Sequence, residues 1–174
     1  MDVVIRNRDQ ADLPALAQVL VRVHARDGYP VEGVERPQEW LTPPRELAAW
    51  TALVDDQPIG HISLTQASPA DDAARLWHNA TGQDISQLAI PVRLFVDPVH
   101  RRRGAGRLLM RAATSFTRAH HLAMTFDVML KDRDAIRLYE AIGCQRLGTI
   151  THEHSDGQSE PAAVYVAPIP PLTH

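Results

Sequence analysis

Cysteine and lysine are almost absent: the 174 residues hold one of each, Cys144 and Lys131. A single thiol closes no internal disulfide and supplies no multi-cysteine zinc site, so a secreted disulfide scaffold and a zinc-ribbon type of module are both excluded. Long apolar runs are also missing, and none approaches the roughly 18–20 residues that a membrane span requires. The opening Met1-Asp2-Val3-Val4-Ile5-Arg6 carries an early acid and no long apolar stretch, unlike a signal peptide. No membrane partner is expected. What remains is a soluble, cytoplasmic chain of a length that suits one domain, expected over residues 1–167 with a proline-rich tail at 168–174.

Charge is uneven in kind and in place. Seventeen of the 18 basic residues are arginine, set against 21 acids. Between Arg93 and Arg118 lie seven arginines and one acid, Asp97, which gives +6 locally in a chain of −3 and leaves −9 elsewhere. An excess confined to one segment suits an anionic ligand held there rather than a surface coated for nucleic acid. The run Arg101–Arg103 has no interleaved aromatics on which bases could stack, so no nucleic-acid partner is expected.

Periodicity predicts an α/β chain. Residues 2–6 read as a strand, followed by a helix with Asp12 as N-cap and Leu13, Leu16, Leu20 and Val23 on one face, ending before Gly28-Tyr29-Pro30. Proline-rich residues 28–47 predict loop, with one short helix near Pro44–Leu47. A hairpin follows, turning at Asp55-Asp56-Gln57-Pro58, with its second strand at Ile59–Thr65. Ser68-Pro69 is expected to open a helix that Gly82 ends. Leu88–Asp97 is nearly all apolar, as in a strand buried on both faces, with Pro91 marking a bulge or a late start. Helical spacing resumes at Gly104, with Leu108, Leu109, Ala112, Phe116 and Ala119 on the predicted inner face. Leu122–Met129 alternates as a strand. Asp132 caps a helix whose stripe is Ala135, Leu138, Tyr139 and Ile142, with Gly143 at its end, and two strands at about 144–151 and 163–167 complete the chain. The expected fold is a mixed, mostly antiparallel central β-sheet flanked by helices, in β-α-β-β-β-α-β-α-β-β order with an extra helix between strands 3 and 4.

The segment from Leu94 to Arg107 runs from a buried strand through a glycine-containing turn to a helix start. Unpaired N–H groups at a helix N-terminus, with the positive end of the dipole behind them, bind phosphate. Small residues let a pyrophosphate reach those amides, and neighbouring arginines add charge and bidentate donors. A P-loop is excluded because no Lys-Ser/Thr follows Gly104 or Gly106, and a dinucleotide fingerprint because the position three after Gly106 is Leu109.

Arg101-x-x-Gly104-x-Gly106 after Val96-Asp97-Pro98, and Asp132-x-x-Ala135-x-x-Leu138-Tyr139-Glu140-x-x-Gly143-Cys144 about 30 residues later, resemble the two signatures of the GNAT superfamily of acyl-CoA-dependent N-acyltransferases. The resemblance spans residues 88–147. Asp132 stands where the family usually has Asn, and Cys144 where it usually has Phe. The resemblance implies a GNAT-like sheet and acetyl-CoA as co-substrate, with no metal. Its pyrophosphate would lie on the backbone of Arg102, Arg103, Gly104, Ala105, Gly106 and Arg107, beside Arg101, and its pantetheine along Leu94, Phe95 and Val96. Asp132 would sit near the cofactor or serve only as an N-cap.

Transfer to an amine needs a neutral nucleophile, a stabilised oxyanion and a protonated leaving thiolate; a lysine-like amine is almost wholly protonated at pH 7, so a base assists. The resemblance implies Tyr139 as the general acid and a backbone N–H near Val96 as the oxyanion donor. Asp127, on the strand before the second motif, is the candidate base, its alternative being a structural carboxylate. Glu32, Glu35, His24, His61 and His78 fall in segments that shape the acceptor pocket in relatives. His152-Glu153-His154 lacks a third metal ligand at matching spacing and reads as a polar hairpin tip. The implied activity is direct acetyl transfer to a primary amine of a small molecule or peptide, and the negative balance outside the arginine segment favours a cationic acceptor. The rival is a non-catalytic acyl-CoA sensor or assembly domain. Homodimerisation is common among relatives, with Trp40, Trp50 and Trp77 as candidate interface residues.

Overall fold

A computed structural model describes residues 2–30, 32–153 and 157–167; the predicted tail at 168–174 lies outside these. The strands are β1 (Val4–Asn7), β2 (Glu46–Val54), β3 (Gln57–Gln66), β4 (Leu88–Val96), β5 (Ala123–Met129), β6 (Gln145–Glu153) and β7 (Ser159–Val166). The helices are α1 (Leu13–Asp27), α2 (Pro37–Trp40), α3 (Asp72–Thr81), α4 (Ala105–Ala119) and α5 (Arg133–Ala141). The result is a mixed α/β fold with a mostly antiparallel sheet flanked by helices, and α3 is the extra helix expected between strands 3 and 4. The chain forms two compact units, Met1–Thr65 with Pro91–Phe116, and Gln66–Ile90 with Thr117–His174.

In the first unit the strand order is β1-β2-β3-β4. The β2–β3 hairpin closes where expected: Val54 pairs with Gln57, and Asp55 and Asp56 take φ 49° and 62°, the left-handed pair that matches the twist of the strands. The apolar face of α1, Leu13, Leu16, Leu20 and Val23, is buried against Leu41 and Phe95. Gly28 ends the helix at φ 72°, its N–H donating to the His24 carbonyl. Asp12 precedes α1 but does not cap it with its side chain. Its carboxylate instead accepts two bonds from Arg6 at 2.7 and 2.8 Å, one from Thr51 Oγ1 at 2.9 Å and one from the Asp9 N–H at 2.8 Å. Burial alone would raise its pKa; these donors outweigh burial and hold it below the usual carboxylate range. The short helix lies at Pro37–Trp40, not at Pro44–Leu47, because Pro37 is preset for a first turn while Arg45 takes φ 60° and Glu46 already starts β2.

β4 is buried at Leu88–Ile90 but mostly only half-buried from Pro91 onward, so the expectation of burial on both faces holds for its first residues alone. The strand runs through Pro91 and kinks at Arg93, whose φ is 58°. On α4 the buried side chains are Ala105, Leu109, Met110, Ala113 and Thr117, and Ala119 is exposed. The inner face is therefore rotated from the predicted one, because Met110 and Thr117 occupy positions that spacing had left outside it.

In the second unit the order is β4-β5-β7-β6, with Leu88 and Ala89 of β4 parallel to Ala123 and Met124 and the other ladders antiparallel. Directly paired residues share a sheet face, so Asp127, Val164 and Gly148 point one way. That is the α3 face: a Cβ on Gly148 would stand 3.2 Å from Leu76. Phe126 and Tyr165 point the other way, toward α5. α3 begins at Asp72 rather than after Ser68: the Ser68 Oγ accepts the Ala70 N–H at 3.2 Å and the Asp71 carboxylate accepts the Ser68 N–H at 2.8 Å, bonds that close a turn ahead of the helix. Trp50 and Trp77 are core residues, 7% and 2% exposed, and are unavailable for an interface between copies. No described helix is long and apolar enough to cross a membrane.

Candidate functional site

The Val96–Arg107 turn is assembled by its own polar residues. The Asp97 carboxylate, 3% exposed, accepts the Val99 N–H at 3.2 Å and the Arg22 guanidinium of α1 at 2.7 Å, while the Asp97 N–H donates to the Ile59 carbonyl at 2.7 Å. Arg101 pairs with Asp27 at the end of α1 and donates to the Val96 carbonyl, so its charge is engaged within the protein. Arg102 at φ 68° and Gly104 at φ 81° reverse the chain into α4. The first bond within α4 runs from the Leu108 N–H to the Gly104 carbonyl at 3.0 Å, which leaves the N–H groups of Ala105, Gly106 and Arg107 without helical partners. A Cβ on Gly104 or Gly106 would meet nothing within 4 Å, so the approach to these amides is open. Arg102, Arg103 and Arg107 are exposed and make no ion pair with the described residues. Three donors, a dipole end and three uncommitted guanidinium groups fit a pyrophosphate.

Leu94, Phe95 and Val96 continue from the Arg93 kink; Phe95 is buried at 4% exposure and its two neighbours are half-buried. Gly60 of β3 lets the strands approach here, since a Cβ would stand 3.0 Å from the Phe95 carbonyl oxygen. A left-handed φ at Arg93 costs a non-glycine residue roughly 1–2 kcal/mol, and several contacts hold it. The His61 Nδ1–H donates to the Arg93 carbonyl at 2.9 Å, the Arg93 Nε donates to the Trp40 carbonyl at 3.2 Å, and its guanidinium lies 4.5 Å over the Trp40 ring. Trp40 in turn donates through Nε1 to Glu32 and packs edge-on to Tyr29 at 5.6 Å. Burial pushes the Tyr29 hydroxyl up to about 12, so it stays protonated. A depression of about 380 Å³ is lined by Glu32, Glu35, Arg36, Glu39 and Trp40 with Gly33. Of the acceptor-segment candidates, Glu32 and Glu35 thus line a cavity and His61 is interior; His24 lies on α1, and His78, at the end of α3, bonds the Gln83 carbonyl.

In the second unit Tyr139 is 7% exposed, its ring 4.5 Å from Phe126 and 6.5 Å from Tyr165. Asp132 caps α5, accepting the Ala135 N–H at 3.3 Å. Asp127 lies on the face of β5 opposite Phe126 and Tyr139, and its carboxylate is engaged by the His152 ring. His154 lies outside the described residues, and no cluster that could hold a metal occurs among those described. Burial pushes the Cys144 thiol up to about 11, which leaves it a poor nucleophile at neutral pH.

Residues 14–144 match the Acetyltransferase (GNAT) family. The chain belongs to that family. No curated protein matches it in sequence. Solved structures share its fold. The ribosomal-protein-S18-alanine N-acetyltransferase of Escherichia coli superposes with TM-score 0.68 at 18% identity, over 99% of each chain. yncA of Salmonella typhimurium, solved with its cofactor acetyl-CoA, gives 0.72 at 13% identity, over 100% of this chain and 98% of that one. Arabidopsis thaliana NAA60 in complex with a bisubstrate analogue gives 0.70 at 18% identity, over 94% of this chain and 96% of that one.

Within this GNAT member, residues 94–96 and 101–107 belong to the first unit and Asp127, Asp132 and Tyr139 to the second, where Asp127 stands on the sheet face opposite Tyr139. Sequence reasoning missed the Arg93 kink and the side chains that hold it. Pro91 signalled an irregular strand, but no residue type announces a left-handed arginine two positions later.

Proposed function

We propose that this GNAT protein transfers an acetyl group from acetyl-CoA to a primary amine of a small molecule or protein, directly in a ternary complex. The observation that carries the reading is the open cradle at the start of α4, where three first-turn amides and three uncommitted arginines suit the cofactor's phosphates. Arg102, Arg103 and Arg107 bind and orient, while Arg101 braces the turn through Asp27. Leu94 to Val96 supply an extended edge for the pantetheine amides, and a backbone N–H near Val96 is the donor to the carbonyl oxygen as it gains charge. Acetyl-CoA supplies the acyl group as a thioester. Tyr139 gives its hydroxyl proton to the departing sulfur. Asp127, joined to His152, is the candidate proton acceptor for the amine, and its alternative as a structural carboxylate rests on that same pairing. Glu32, Glu35 and Glu39 around the depression beside Trp40 support a cationic acceptor.

Thiol release from acetyl-CoA, measured against an amine panel for wild type and Tyr139→Phe, tests the assignment. The expected result is at least a tenfold fall in turnover with acetyl-CoA affinity kept, in line with the usual weight of a general acid. Equal rates would remove Tyr139 from the chemistry. Binding of acetyl-CoA without thiol release for any amine would favour the sensor reading.

A further inference from the structure

The side chain that holds the Arg93 kink is itself held from behind. His61 is completely buried on β3, its ring stacked on Phe95 with centroids 5.5 Å apart. One ring nitrogen faces the Arg93 carbonyl at 2.9 Å and the other faces Arg8 Nη1 at 3.1 Å. A carbonyl only accepts and a guanidinium only donates, so these neighbours admit one tautomer: Nδ1 carries the proton and Nε2 presents its lone pair. Arg8 is fixed in turn by Glu46 at 2.5 and 3.1 Å and by the Leu41 carbonyl at 2.7 Å, and Ser63 donates to Glu46 at 2.8 Å. The chain of bonds Ser63–Glu46–Arg8–His61 therefore ends on the one backbone carbonyl where β4 turns left-handed. The residue after that turn, Leu94, begins the segment assigned above to the pantetheine.

We propose that His61 is a positioning residue for acetyl transfer, its Nδ1–H fixing the kink of β4 so that the Leu94–Val96 backbone is held in its bonding direction before substrate arrives. This rests on the acetyltransferase reading given above. The imidazole touches no substrate; it acts through the Arg93 carbonyl. Both of its nitrogens are saturated by the protein, so proton transfer is not its role. Preorganisation of a backbone donor changes how well the acetyl carbonyl is met in the transition state more than how tightly the substrates bind. Its loss is therefore expected in kcat.

Two substitutions separate this role from packing. In His61→Asn the amide nitrogen takes the place of Nδ1 and keeps a donor toward Arg93. In His61→Gln the amide group takes the place of Nε2, keeps contact with Arg8 and loses that donor. Both leave unfilled space beside Phe95, so both lower Tm. His61→Asn is expected within about threefold of wild-type kcat, and His61→Gln at least tenfold below it, with kcat falling further than the KM for acetyl-CoA rises. Hydrogen exchange provides a reading independent of activity: the amides of residues 94–96 should exchange at least tenfold faster in His61→Gln than in His61→Asn. Equal kcat losses in the two variants, with equal exchange, would overturn the proposal. If the wild type acetylates nothing while the exchange difference appears, the positioning stands and the acetyltransferase reading fails. Should His61→Gln not fold, nitrogen NMR of the wild-type ring decides: a protonated Nδ1 with an unprotonated Nε2 from pH 5 to 8 is required, and the opposite tautomer overturns it.

Discussion

Burial removes His61 from its ordinary titration range. Desolvation, with the positive charges of Arg8 and Arg93 nearby, pushes its pKa down to about 4, against the weaker opposing pull of the Arg93 carbonyl bond and the Asp12 charge. In the unfolded chain the same imidazole takes a proton near pH 6.5, so between about 4 and 6.5 the unfolded state binds more protons and folding weakens as pH falls. The group's contribution is complete above about 6.5 and is reduced by about 3 kcal/mol on descent to pH 4. Urea unfolding across this range should show a steeper loss in the wild type than in His61→Gln; parallel curves would contradict the burial of a neutral ring. At this scale Arg101 and Arg102 look alike in sequence and differ in structure. Asp27, 74 positions away, pairs with the first, while the second makes no ion pair with the described residues.

Among elements, β4 and α4 carry the candidate site, and two glycines on and beside them predict opposite outcomes. Gly60→Ala places a methyl 3.0 Å from the Phe95 carbonyl, with Leu109 at 3.4 Å and Ala52 at 3.5 Å, and backbone cannot give way as a side chain can. A loss of roughly 1–3 kcal/mol in urea unfolding is expected. Gly106→Ala meets nothing within 4 Å in the first turn of α4. It should leave stability unchanged or raise it by up to about 1 kcal/mol through helix propensity. The same methyl occupies the space proposed for phosphate, so acetyl-CoA Kd should rise at least tenfold by calorimetry. A Gly106→Ala protein that binds acetyl-CoA as wild type does would place the phosphates elsewhere. Element types and order follow from periodicity, and so does the end of α1 at Gly28. Starts were less legible: Ser68 and Asp71 close a turn of their own, and α3 begins only at Asp72.

For the whole molecule the predicted quantity is ligand-linked stability. Acetyl-CoA or CoA at 100 times Kd should add about 2.7 kcal/mol, a rise in Tm of several degrees at this size, and NAD should add little. The shift should shrink with added salt, because the proposed contacts with Arg102, Arg103 and Arg107 are exposed. No shift with CoA compounds alongside a shift with another ligand would require a different reading of the arginine-rich turn.

Apolar periodicity and turn chemistry are local properties and were sufficient to indicate an α/β chain, while the resemblance of two motifs about 30 residues apart to the GNAT signatures indicated the family. The same locality made the turn proposed to hold phosphate legible, since it is built from consecutive residues. Long-range contacts were not legible. The left-handed Arg93 is stabilised by His61 and Trp40, 32 and 53 positions away, and the pairing of Asp127 with His152 spans 25. Which face of α4 turns inward, which arginine stays free and where β4 kinks depend on neighbours that approach only when the chain folds.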